Sequence, residues 1–482
     1  MSADLGAALA SVSQTKPGRR GLTRLMRRLG SWGEFTFSAA ALLLFSSALL
    51  PLYLSEMGRG PEGGEGSPFL RLAYRIAYVG SVCLAAAHAR TVSKAAVRMP
   101  LVLALAALAL LSVLWSAAPS ATTDQSARLV ATTALGLYLG ARYRISALLD
   151  LLALVFGVAI VLSVWVAIAA PGIGVHTTAQ GVVGWRGIFT HKNTLGAMAT
   201  LGVLVFTLRW WDRHRRWLTG ACLGLAAAAV VMSHAATAVV VTAGTVLLLP
   251  LFRALRLRRG WGITLLIAGV LAGAAAATLV VASSEVFLGA LGRQATLTGR
   301  TTMWPVIIDV GSDRLWLGHG YNAFWTGWKG LSGQVWQAIG WPAPHAHNGF
   351  LDLWLDVGLV GVAVFVIGFA ATLRRALGLV RSTNDSASLW PLAYLAFLVL
   401  ENIPDSALLN MNAVGLYWVL YVATACAVSK RRGPASAPRA PAARLSPGVR
   451  RSRLAGGRTL PPRAARDAGG EARLPVRRPY EG

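Results

Sequence analysis

Apolar stretches of about 20 residues, the length that crosses a bilayer, recur along most of the chain, separated by short polar or basic connections. The pattern predicts helices over 35–54, 70–88, 99–117, 126–141, 147–170, 193–208, 217–233, 236–252, 262–281, 350–372, 388–402 and 411–429. That is an all-α polytopic membrane protein with about twelve transmembrane helices. Two connections, 171–192 and 282–348, are too long to be simple turns and are of the kind that carries function. Helical apolar spacing at 301–310 and from Gly349 onward makes the second one partly helical.

Charge orients this scheme. The segment before the first span and the connections 89–98, 142–146, 209–216, 253–259 and 373–387 hold 22 Lys and Arg, against about 10 in all the others. By the positive-inside rule both termini are cytoplasmic and the two long connections face outward, so 282–348 is expected in the periplasm of a bacterial inner-membrane protein. Arg71, Arg75 and Arg128, at outward helix ends, run against the trend. The domains expected are a basic cytoplasmic segment 1–34, a transmembrane domain 35–429 and a disordered basic cytoplasmic tail 430–482, rich in Pro, Gly, Ala and Arg.

Composition removes other classes. With 55% hydrophobic and 13% charged residues the chain is too apolar for an ordinary soluble protein. Its net charge of +27 follows topology, without the aromatic-interleaved basic face of a nucleic-acid groove. Cys83, Cys222 and Cys426 fall in or beside spans and form no disulfide framework. No mid-membrane charge ladder or inverted repeat marks a coupled transporter, although a flippase for lipid-linked oligosaccharides is the alternative from another class.

Candidate chemistry sits in the outward loops. Arg186-Gly187-Ile188-Phe189-Thr190-His191-Lys192-Asn193 places three potential cations before a helix. They suit either an anion site at a helix N-terminus or interfacial anchoring, with Asn193 or Thr194 as N-cap. Thr298-Gly299-Arg300 opens the helix of the second loop. His345-Ala346-His347-Asn348 follows, with no third metal ligand at sensible spacing, so no metal is expected. Asp352 and Asp356 share a face of the next helix, and Glu401 lies near the outer membrane surface.

His347-Asn348, nine residues, then Gly358-x-x-Gly361 resembles the signature of bacterial O-antigen ligases. Arg186-Gly187-x-Phe189 with Asn193-x-Leu195-Gly196 resembles that family's other characteristic block. Trp115-Ser116-x-x-Pro119, Thr298-Gly299-Arg300 with Trp304, and Glu401-Asn402 with Trp418 are similar to the exopolysaccharide polymerase branch. The resemblance implies a fold like the glycosyltransferase-C superfamily and metal-independent, cofactor-free glycan transfer from an undecaprenyl-diphosphate-linked donor to a glycan or lipid-linked acceptor. It assigns the diphosphate to Arg186 and Arg300 and acceptor activation to His347, with Lys192, Asn193, His345, Asn348 and Glu401 as substrate-binding residues. Polymerisation of lipid-linked repeat units leads; ligation of O-antigen to lipid A core is the near alternative. Polysaccharide chain-length and export proteins are the implied partners.

Overall fold

The computed structural model describes residues 19–48, 68–177, 183–212, 215–256, 300–409 and 411–430, with the backbone alone for 19–30, 300–301 and 411–414. All of these lie in a unit spanning Met1–Arg431. The expected span 262–281, the stretch 282–299 and the tail after Lys430 fall outside the described residues.

The first half comprises α1 (Arg19–Phe45), α2 (Pro68–Ala87), α3 (Ala89–Ala96), α4 (Pro100–Leu111), α5 (Pro119–Arg142) and α6 (Ile145–Ala169), then α7 (Lys192–Trp211), α8 (Arg216–Met232) and α9 (Ala236–Ala254). The second half comprises α10 (Arg300–Gly311), α11 (Leu331–Ile339), α12 (Gly349–Ser382), α13 (Trp390–Asn402) and α14 (Met411–Ser429). Between α6 and α7 two short antiparallel strands, β1 (Val175–Thr177) and β2 (Val183–Trp185), pair Val175 with Trp185.

Every expected span outside 262–281 coincides at least in part with a helix. Among the described residues, α2, α6, α7, α9 and α12 are long and apolar enough to cross a membrane. The pair α3–α4, bent by 94° at its break, adds a sixth crossing if counted as one. Pro100 opens the second arm of that bend, where a residue without an N–H fits the first turn of a new helix. The set is smaller than twelve because 262–281 lies outside the described residues, the described apolar parts of α1, α8, α13 and α14 are short, and α5 carries Asp124, Gln125 and Arg128 in its early turns.

The core is built around α7, buried over most of its circumference and packed on α6, α8, α9 and α13. A second axis is α5 on α14. There Gly136 and Gly140, one turn apart, let the helices close so far that a Cβ at either would collide with the α14 backbone or side chains. This is how small residues pack membrane helices. Trp418 ties the same pair, its Nε1 donating to Thr133 Oγ1 at 2.8 Å.

Helix α12 is broken at Gly358, whose backbone sits at φ +68°, ψ −173°. The segment 315–320 threads the break. Leu359 N and Val360 N donate to the carbonyls of Leu315 and Trp316, while the carbonyls of Leu355 and Asp356 accept from His319 N and Gly320 N. A side chain at Gly358 would meet the Trp316 carbonyl, so left-handed backbone and close approach together demand glycine. The second glycine, Gly361, packs under Val357 one turn on.

Candidate functional site

The loop before α12 is held on three sides. Asn348 caps the helix, its Oδ1 accepting from Phe350 N and Leu351 N at 3.0 Å, while its Nδ2 donates to Ile403 O at 3.2 Å. Asp352, one turn in, turns back: both carboxylate oxygens accept from Ala346 N at 3.2 Å, and Oδ1 also accepts from Trp325 Nε1 at 2.8 Å. From the far side Trp304 Nε1, on α10, donates to Ala346 O at 2.9 Å. The peptide between the two histidines is therefore gripped at its N–H and its C=O. This grip holds His347 in left-handed backbone, φ +50°, a conformation that costs a non-glycine residue about 1–2 kcal/mol.

The two imidazoles lie 4.2 Å apart, centroid to centroid. His345 Nδ1 accepts from His347 N at 3.2 Å, which leaves the proton of the neutral ring on Nε2, 3.8 Å from Asp405 Oδ1. Asp405 belongs to the 402–407 turn, which pins the start of α12: its carbonyl accepts from Gly349 N, and Ser406 Oγ accepts from Asn348 N at 2.9 Å. Asn402 braces that turn by accepting from Ala407 N.

The loop ahead of α7 is a framework of its own. Arg186 is buried and its Nε donates to Ile173 O at 2.7 Å; burial pulls its guanidinium below the ordinary value. Lys192 is buried, with Nζ on His234 O at 3.2 Å. The N-cap of α7 is His191 rather than Asn193 or Thr194, its Nδ1 accepting from Asn193 N at 3.1 Å. An imidazole that accepts there must be unprotonated. Burial, then the neighbouring His176 and Lys192, push His191 down to about 4, although Asp405 acts in the other direction. The N-cap of α9 is Ala235, which has no side-chain cap and whose own N–H donates to Ser233 Oγ at 3.3 Å.

A cavity of about 820 Å³ joins these parts. Of the residues singled out in the sequence, His345, His347, Asn193 and Glu401 line it; Arg186, Lys192 and Asn348 do not. Arg300 opens α10 one turn before Trp304, which reaches the histidine loop; its side chain is outside the described set. Glu401 is buried and its Oε2 has no hydrogen-bond partner among the described residues. Sequence reasoning named His191 only as one of three potential cations before a helix and did not assign Asp405, Arg71, Arg75 or Arg128 to a site, yet all five line the cavity. For the arginines a signal existed, since they were the outward exceptions to the charge bias. For Asp405 there was none, because only the fold brings it to the histidines. A smaller cavity of about 340 Å³ shares Pro344, His345 and Ser406 with the first and has Asp352 and Asp356 in its wall.

His345, His347 and Asp405 each offer one ligand atom within 4.8 Å of the others, a donor set that fits a divalent cation.

A family model described as O-antigen ligase matches residues 221–366, from α8 into α12, and so includes Arg300 and the histidine loop. The exopolysaccharide production protein ExoQ of Rhizobium meliloti (strain 1021) is 30% identical over 275 residues, covering 53% of this chain and 62% of the relative. The chain is therefore similar, over part of its length, to the O-antigen ligases and to an exopolysaccharide production protein. The chain spans less than two thirds of ExoQ, 62% of its length. Its several helices long and apolar enough to cross a bilayer make the chain a multi-pass membrane protein.

Proposed function

We propose that the protein is a glycosyltransferase that polymerises undecaprenyl-diphosphate-linked oligosaccharide units into exopolysaccharide or O-antigen on the periplasmic side of the inner membrane. The observation that carries this is the 820 Å³ cavity in which His345, His347, Asn193 and Glu401, from three separate segments, share one space. His347 takes the proton of an acceptor hydroxyl, because His345 has Nδ1 committed to a backbone N–H and Nε2 turned toward Asp405. General base catalysis of this kind is worth about 100- to 10,000-fold. Glu401 and Asn193 bind sugar hydroxyls. Arg186 and Arg300 add positive potential from the two loops for the diphosphate, with Arg186 also fixing the β1–β2 framework through Ile173 O. Lys192 and Asn348 support the site by holding helix starts.

Transfer runs without a metal in this reading. His345, His347 and Asp405 work as base, orienting imidazole and carboxylate, although the same three atoms fit a cation. The relative's name, an exopolysaccharide production protein, favours a polymerase; the description of the matching family model favours ligation to lipid A core. Purified protein in detergent, given lipid-linked repeat units alone or with lipid A core, separates the two by product size and acceptor. Formation of polymer from repeat units alone is expected; transfer to the core only would make it a ligase, and no transfer in either case would overturn the reading. Placement is tested by labelling a Lys329→Cys variant, exposed in the 300–348 segment, from outside spheroplasts.

A further inference from the structure

No step described above uses the smaller cavity. Its volume of about 340 Å³ sits at the small end of the roughly 300–1,000 Å³ of small-molecule sites, the size for one sugar ring rather than a chain. Pro344, His345 and Ser406 line both cavities, so a group in the smaller one is one loop away from the space of His347. The wall combines an apolar side, Leu353, Leu408 and Leu409, with Trp325, Asn322 and Asp356. Trp325 is fixed by Nε1 donation to Asp352 Oδ1 at 2.8 Å and by an edge contact with Phe324, centroids 5.0 Å apart. Asp356 is only 8% exposed; its Oδ1 accepts from Asn322 N at 2.9 Å, and its Oδ2 takes no hydrogen bond among the described residues. The side-chain amide of Asn322, a residue in left-handed backbone at φ +57°, is likewise unspent among them. An unspent carboxyl oxygen, an unspent amide and a fixed indole around one ring-sized space match a sugar, which has hydroxyls at its rim and C–H groups on its face. The lining holds two carboxyl groups and no Arg or Lys among the described residues, so nothing there balances an anion, and an uncharged ring is what fits.

Resting on the function proposed above, we infer that this cavity is a subsite for one uncharged sugar ring of the acceptor glycan, next to the ring whose hydroxyl gives its proton to His347. Asp356 Oδ2 accepts from a hydroxyl of the seated ring, the Asn322 amide donates to another, and Trp325 packs against the C–H face. The anionic end of the donor is excluded from this space, while His345, in both walls, stands beside the base. Holding the acceptor by two successive sugars instead of one fixes the attacking hydroxyl in the geometry for transfer.

The test uses the full chain in detergent and the repeat-unit oligosaccharide freed from its lipid by mild acid. Asp356→Asn keeps an oxygen for Asn322 N, and Asn322→Gly keeps the left-handed backbone, so both should fold, which a melting curve checks. Asp352 is left alone because it also holds the histidine loop. Each variant should weaken oligosaccharide binding by calorimetry about 10-fold, the worth of one hydrogen bond. The KM for that oligosaccharide as acceptor should rise by the same factor, with kcat and donor KM little changed. A fall in kcat with affinity unchanged would make both residues structural and overturn the subsite. So would equal affinity in both variants, or no binding to the wild type. Calorimetry reads the subsite whether or not polymer forms. Intact binding without transfer sinks the transferase reading alone, and transfer with unchanged affinity in the variants sinks the subsite alone.

Discussion

Replacing Asp352 by asparagine removes a group that holds the histidine loop without touching the cavity of His347. The carboxylate accepts from Ala346 N and Trp325 Nε1. An asparagine oxygen in the place of Oδ1 can still accept from both donors, but the charge that strengthens both bonds is lost, and its amide N–H₂ faces Ala346 N where Oδ2 accepted. A hydrogen bond to a charged group contributes about 1.5–3 kcal/mol, and a buried donor left without a partner costs about 1–3 kcal/mol. The expected loss is therefore about 2–4 kcal/mol, part of it felt as melting temperature and part as loosened geometry at His347. A displacement of about 1 Å at a catalytic group lowers turnover roughly 100-fold. Turnover of Asp352→Asn on lipid-linked repeat units should fall by about 10- to 100-fold, with donor KM little changed because the arginine-lined part of the cavity is intact. Asp352→Glu should not restore it, since the extra methylene moves the carboxylate oxygens off the positions that accept from Trp325 Nε1 and Ala346 N. A variant with wild-type turnover and melting temperature would refute the view that the gripped Ala346 peptide sets the position of His347.

His347→Ala should lose about 100- to 10,000-fold in turnover and His345→Ala much less, in assays run with and without excess chelator; loss of wild-type activity in chelator would assign His345, His347 and Asp405 to a metal instead. Gly358→Ala should lower stability by about 1–3 kcal/mol through left-handed backbone alone, and by more through the collision with the Trp316 carbonyl, as read by thermal unfolding in detergent. His191, pushed down to about 4 in the fold from an ordinary value near 6.5, contributes stability that is present above pH 6.5 and is lost as pH falls toward 4, because the unfolded chain binds the proton first. His191→Asn keeps a capping acceptor and should flatten that part of the melting-temperature profile. Arg186→Lys should be less active than wild type even where it folds, since it cannot reproduce the Nε donation to Ile173 O together with a free guanidinium fork; equal activity would remove the fork from the argument.

Hydrophobic run length determined the helices by itself: a segment of about 20 apolar residues has to satisfy its own backbone hydrogen bonds in lipid, so α2, α6, α7, α9 and α12 could be read from local sequence. The histidine–asparagine block before a helix and the outward arginine exceptions were legible for the same reason, each being a local departure from an apolar or charge trend. What each residue does was decided by contacts between distant segments. Arg186 and Lys192 look like paired cations in the sequence, yet each spends its donor on a carbonyl, Ile173 and His234, that folding brings beside it. Asp405 shows nothing local, and becomes a partner of His345 only because the 402–407 turn docks on the start of α12. The spacing from His347 to Gly358 is visible as a pattern, but its cause is the segment 315–320 threading a break in α12. Periodicity reports how one segment meets lipid; a site is a set of side chains from several segments, and only packing states which of their polar groups remain unspent.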